Sequence, residues 1–171
     1  MSDARTGALS RPAELADLSA IRDIYNHYVR TSTVTFDEEE TKLAFWEHKH
    51  ELLASTGLPF LVAEDDAGVV LGFAYAQHWR AKSAYRFSAE NTIYLSPDAA
   101  GRGLGKALLE ALLDASAAAG LHELIAVIEP TAAAASIALH RRCGFVDAGH
   151  LKGVGVKFGR TLDVLFLQRS L

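Results

Sequence analysis

Ser96-Pro97-Asp98-Ala99-Ala100-Gly101-Arg102-Gly103-Leu104-Gly105-Lys106-Ala107-Leu108 decides the reading of this chain: a β-like segment turns through three glycines straight into an amphipathic helix. Gly101, Gly103 and Gly105 admit backbone conformations closed to other residues, so successive N–H groups can converge on an anion at the positive end of the helix dipole. Arg102 and Lys106 add positive charge to this seat. Spacing excludes two phosphate loops. A P-loop needs Gly five residues before the Gly of Gly-Lys and Ser or Thr after it, where the chain has Ala100 and Ala107. The dinucleotide fingerprint needs Gly where Lys106 stands. Taken alone, the glycines are also compatible with a strand-to-helix turn that binds nothing.

Outward from the turn, helix and strand patterns alternate. A short strand near Ala8–Arg11 leads to Asp17 as an N-cap, after which Leu18, Ile21, Ile24, Tyr25, Tyr28 and Val29 recur at helical spacing until about Thr31. A second helix is expected over Glu39–Ala54, strands over Pro59–Glu64 and Val69–Ala76 joined by Asp65-Asp66-Ala67-Gly68, and another strand over Asn91–Leu95. Leu104, Ala107, Leu108, Ala111, Leu112 and Ala115 stripe a helix that Gly120 ends. A strand at Leu124–Ile128, a helix at Ala133–Arg142 ended by Gly144, and strands near Phe145–Leu151 and Leu162–Gln168 complete the chain. The order β-α-α-β-β-β-α-β-α-β-β implies an α/β fold with a mixed, mostly antiparallel sheet and helices on both faces.

Length and composition fit one domain spanning residues 1–171: 50% of the residues are hydrophobic and 22% charged. The net charge of −4 and the lack of a dense Lys/Arg run argue against a nucleic-acid partner. Cys143, the single cysteine, excludes an intrachain disulfide and a Cys-rich zinc site, and its apolar surroundings in the sequence predict a buried small hydrophobe. His48 and His50, two apart on a helix, point to different faces, so no metal is expected. Phe45, Trp46 and Leu52 are expected in the core and at a dimer contact. No apolar stretch nears membrane-spanning length and the N-terminus lacks a charged segment followed by an apolar one, which predicts a cytoplasmic protein without a membrane partner.

The β–Gly loop–helix segment, followed by β–α–β ending in Ala138-Leu139-His140-Arg141-Arg142-Cys143-Gly144-Phe145, resembles the GCN5-related N-acetyltransferase (GNAT) superfamily over nearly the whole chain. Within it, Tyr25-Asn26-His27-Tyr28, Thr31 to Phe36, Trp79 to Tyr85, Ala89 to Tyr94 and Lys157-Phe158-Gly159-Arg160 resemble the phosphinothricin and methionine sulfoximine acetyltransferases. The resemblance implies acetyl-CoA as donor, the amino group of a small amino-acid-like molecule as acceptor, and a homodimer. It places pantetheine beside Ile93, Tyr94 and Leu95 and the pyrophosphate on Gly101, Arg102, Gly103, Leu104, Gly105 and Lys106, with Ala133 and Ser136 completing the donor site. Arg80, Lys82 and Tyr85 would grip the acceptor's anionic groups, and Phe36 and Tyr94 would wall its pocket.

An amine arrives as ammonium and must lose a proton before it attacks, which calls for a carboxylate or a water chain near the thioester. Glu90, expected to open the central strand, is the candidate base. His140 falls where relatives of this subgroup also carry His; it would orient Glu90 or protonate the departing thiol. Three positions depart from the resembled pattern. Ala100 stands where Gln or Arg is frequent, Ala133 where an Asn commonly bonds pantetheine, and Thr161 where Trp is usual beside the acceptor pocket. Two alternatives remain: acetylation of a protein or peptide amine, and a non-catalytic acyl-CoA sensor on the same fold.

Overall fold

A computed structural model describes residues 9–99 and 101–171, and its elements follow the expected order. Ala8 and Ala100 lie outside the described residues. Strand β1 (Leu9–Pro12) precedes helices α1 (Leu18–Thr31) and α2 (Leu43–Thr56). Strands β2 (Phe60–Glu64), β3 (Val70–His78) and β4 (Ser88–Leu95) lead to α3 (Leu104–Ala118). Then come β5 (Glu123–Ile128), α4 (Ala134–Arg142), β6 (Val146–Lys157) and β7 (Arg160–Ser170). The seven strands form one sheet in the order β1-β2-β3-β4-β5-β7-β6, antiparallel at every junction except β4 with β5.

Because side chains alternate along a strand, β4 serves both layers. Tyr94 meets Tyr25 and Tyr28 of α1 at centroid distances of 5.2 and 5.4 Å, whereas Asn91 meets His140 of α4. An aromatic cluster seals the α1–α2 layer: buried Trp46 stands edge-on to Tyr25 and to Phe73, each at 5.3 Å. On α3, Leu108, Leu109 and Leu112 are fully buried, so truncating any one to alanine costs about 2–5 kcal/mol.

Several boundaries differ from the sequence pattern for local reasons. Helix α2 starts at Leu43 and not at Glu39, because the Asn26 side chain accepts from the Thr41 N–H at 2.8 Å and donates to the Thr41 carbonyl at 3.0 Å. That clasp holds Thr41 ahead of the helix, and Lys42, the N-cap, is extended. Asp17 occupies the N-cap of α1, but its carboxylate turns back to Arg11 at 2.7 and 2.9 Å and to the Glu14 N–H at 2.7 Å. Strand β4 begins at Ser88, so Glu90 is paired on both sides, with Gln77 of β3 and Ile125 of β5, and does not open the strand. Strand β6 runs on to Lys157, where a tight Phe158-Gly159 turn starts β7.

Trp46 and Cys143 are buried as expected, while Phe45 and Leu52 lie on the outer face of α2 and are exposed. His48 is exposed, and His50 bonds the Ala13 carbonyl at 3.0 Å. Among the described residues no helix is long and apolar enough to cross a membrane.

Candidate active site

Strands β4 and β5 pair only from Ser88↔Glu123 to Asn91↔Ala126 and then part. On β4, the Ser96 N–H reaches the Leu71 carbonyl of β3 at 2.8 Å, so alternation turns the main-chain groups of Leu95 and Ile93 the other way, into the gap. The Tyr28 hydroxyl donates to the Leu95 carbonyl at 2.7 Å and leaves the Leu95 N–H for a ligand. A cleft of about 770 Å³ opens between the strands. Its walls include Ile93, Leu95, Gly101, Gly103, Gly105 and Lys106, with Ala133, Ser136 and His140 across from them and Phe36, Tyr75, Gln77, Glu90 and Tyr94 towards the other end.

The glycine turn has the conformation its sequence requires. Gly101 and Gly103 have φ of 81° and 75°, in the left-handed region, and nothing lies within 4 Å of where a Cβ would stand. Gly103 caps α3, so the free N–H groups of the first turn face open space at the positive end of the dipole, which suits a pyrophosphate. Leu104 is buried in the core and has only its main-chain N–H to offer; Arg102 is exposed beside the lining.

At the other end Glu90 is half-buried, and burial pushes its carboxyl above the usual range, opposed by the nearby Lys49 and Arg80 cations. Thr92 and Tyr94 share its face of β4. Burial also pushes the Tyr75 hydroxyl up to about 12. Arg80 stacks on Trp79 at 4.4 Å, and Arg80, Lys82 and Tyr85 are exposed in the loop between β3 and β4, outside the cleft lining. The fold thus brings Glu90, Tyr94 and Phe36 together and leaves Lys82 and Tyr85 apart from them, with Arg80 near enough to act on the Glu90 carboxyl but outside the lining.

His140 is buried on the opposite face of β4 from Glu90 and does not contact it. Its Nδ1 faces the Ser136 carbonyl at 2.8 Å, which can only accept, so Nδ1 carries the proton. Nε2 then accepts from Asn91 Nδ2 at 2.9 Å. Both nitrogens are occupied, and burial holds the imidazole below its ordinary pKa and therefore neutral. The Asn91 Oδ1 is buried without a partner among the described residues.

Residues 32–36, between α1 and α2, bear Phe36 and are held by two buried charges that the sequence reading did not connect with them. Glu129, just after β5, accepts from the Thr33 hydroxyl and from the Thr131 and Ala132 N–H groups, each at 2.8 Å. Lys157, at the end of β6, donates to the Ser32 and Thr35 carbonyls at 2.7 and 2.8 Å. Gly155 touches the Phe36 ring so closely that a Cβ there would fall 2.4 Å from it. The β6–β7 hairpin therefore braces the pocket wall of its own chain, and Thr161, across from Val156, is exposed. Among the described residues no cluster of three His, Cys, Asp or Glu side chains could hold a metal ion.

A model of the acetyltransferase (GNAT) family matches residues 21–145. The chain is 44% identical to a phosphinothricin N-acetyltransferase from Alcaligenes faecalis, over 98% of this chain and 85% of that one. It is also 44% identical to an L-methionine sulfoximine/L-methionine sulfone acetyltransferase from Pseudomonas aeruginosa, over 94% and 93%. A phosphinothricin acetyltransferase from Sinorhizobium meliloti, solved with acetyl-CoA, superimposes with a TM-score of 0.92 at 43% identity, covering 96% of this chain and 88% of that one.

Proposed function

Since the chain belongs to the acetyltransferase (GNAT) family and is an acetyl-CoA-dependent N-acetyltransferase, we propose that its acceptor is the α-amino group of a small amino acid of the phosphinothricin, methionine sulfoximine or methionine sulfone type. The observation that carries this reading is the position of Glu90: a half-buried carboxylate in a cleft whose other end is a glycine-lined anion seat. Relatives at 44% identity that bear those substrates in their names support the acceptor class.

Acetyl-CoA would place its pyrophosphate on the main chain of Gly101 to Lys106 and its pantetheine arm along Ile93, Tyr94 and Leu95, beside Ala133 and Ser136. The Leu95 N–H then polarises the thioester carbonyl as negative charge develops on its oxygen. Glu90 takes a proton from the acceptor ammonium, and the nitrogen lone pair forms the C–N bond as the C–S bond breaks. The acylated nitrogen sheds its second proton as the C–S bond breaks, the leaving thiolate takes up a proton, and CoA departs as the free thiol. A carboxyl raised by burial is a stronger base than an exposed one, which suits the transfer from an ammonium. His140, neutral and with Nε2 already accepting from Asn91, acts by fixing Asn91 and the floor of β4.

Arg80, Lys82 and Tyr85, exposed in the loop between β3 and β4, would grip the acceptor's anionic groups, with Phe36 and Tyr94 as pocket walls. The protein works as a homodimer. Val154, Val156 and Phe158 leave an apolar strip exposed along β6 and its turn, which a two-fold partner would cover.

A panel of phosphinothricin, methionine sulfoximine, methionine sulfone, standard amino acids and peptides, read by release of CoA thiol, tests the reading. Turnover with small amino acids is the expected result. Turnover with peptides alone would make the protein a peptide acetyltransferase, and acetyl-CoA binding without thiol release from any amine would make it a sensor.

A further inference from the structure

The inward stripe of α2 runs Trp46, Lys49, His50, Leu53, so a cation occupies a position that the helical pattern reserves for core residues. His50 is accounted for by its bond to Ala13. Lys49 is not used by the reaction as described. Its Nζ stands over the rings of Tyr75 and Phe45, 4.9 and 5.6 Å from their centroids, and donates to Gln77 Oε1 at 2.6 Å. Gln77 is neutral, and among the described residues no carboxylate lies within salt-bridge distance of Lys49. A half-buried ammonium held against a neutral amide, with two further N–H groups to donate, is suited to an incoming anion.

Its place defines that anion. Lys49 is not itself part of the cleft lining; its partner Gln77 and Tyr75 line the acceptor end, and Gln77 stands directly opposite Glu90 in the β3–β4 register. An amine seated for deprotonation by Glu90 carries, if it is an α-amino acid, a carboxylate on the very next carbon. We propose that Lys49 binds the α-carboxylate of the acceptor and makes the site selective for amines with an adjacent anion. This rests on the amino-acid reading above and assigns the loop cations to the distal group, with Lys49 at the α-carboxylate.

The test compares L-methionine sulfone with its carboxamide, which keeps the amine and side chain and removes the anion. Wild type, Lys49→Met and Lys49→Arg are each measured by thiol release and, with CoA bound, by calorimetric acceptor binding, which needs no turnover. Wild type should prefer the carboxylate; Lys49→Met should weaken it about 10-fold or more while the carboxamide binds both proteins alike, and Lys49→Arg should keep most of the preference. Equal losses for both ligands in Lys49→Met, or none for the carboxylate, overturn the assignment. Wild type that binds the carboxylate without acetylating it removes the proposed function and leaves Lys49 judged by the calorimetry. Wild type that binds neither ligand overturns both.

Discussion

The Lys157 ammonium, 1% exposed, donates to the Thr35 carbonyl 122 residues earlier in the chain, at 2.8 Å, and among the described residues to no carboxylate. A buried charge whose hydrogen bonds go to main-chain carbonyls fixes backbone position, here that of the residue before Phe36. Lys157→Met leaves the Ser32 and Thr35 carbonyls unpaired, at a cost of about 2 kcal/mol or more, so the melting temperature should fall by several degrees. KM for the acceptor should rise more than KM for acetyl-CoA. An unchanged melting curve with unchanged acceptor kinetics would remove Lys157 from this role.

Glu90→Gln keeps the shape of the side chain and removes the proton acceptor. Turnover should drop by roughly 100-fold or more while acetyl-CoA binding persists, and the deficit should narrow at high pH, where free amine is abundant. Near-normal turnover at neutral pH would show that another group, or water, takes the proton.

Burial raises the Glu90 carboxyl and the Lys49 cation opposes that rise. Without the cation the pKa climbs further, less carboxylate is ionised at a given pH, and the acid limb of kcat/KM moves to higher pH. Lys49→Met should show this displacement with the carboxamide acceptor as well as the carboxylate. A stationary limb in both profiles would mean that the two charges are uncoupled.

His140 is held neutral by burial, with its folded pKa below the ordinary value, so between the two the unfolded chain binds the extra proton. Stability should therefore be fully present above about pH 6.5 and decline as the pH falls below it. His140→Gln should flatten that part of the stability profile. Parallel profiles for the two proteins, measured by urea unfolding, would assign the acid sensitivity elsewhere.

Acetyl-CoA should raise the melting temperature by binding the native state. Gly103→Val should abolish the shift, since a β-branched residue strains at φ 75° and crowds the space in front of the helix. Stabilisation by ATP or NAD in place of acetyl-CoA would contradict the assigned anion seat.

The glycine turn and the element order were legible because each is local: a period, a spacing or a single residue type within about a dozen residues. The supports of the acceptor wall were not. Lys157 meets Ser32 and Glu129 meets Thr33 across 125 and 96 residues, and nothing near either residue in the sequence marks its partner. Lys49 escaped notice because a lysine on a helix normally reads as a solvated charge; only the docking of α2 against β3 turns it inward. The start of α2 was misplaced for a related reason, since the Asn26 side chain holds Thr41 from outside the segment.

The parting of β4 from β5 exposes peptide groups, and peptide groups are the same whatever side chains they carry. Donor recognition here is thus written in a part of the molecule that substitution barely alters, apart from the glycines. On the proposed reading, acceptor recognition rests instead on side chains, those of Phe36, Gln77 and Tyr94 in the cleft lining and of Lys49 bonded to Gln77, where a single exchange changes size or charge. The two halves of the reaction can therefore be re-engineered separately: a designer can repaint the acceptor pocket for a new amine and keep acetyl-CoA as the common reagent.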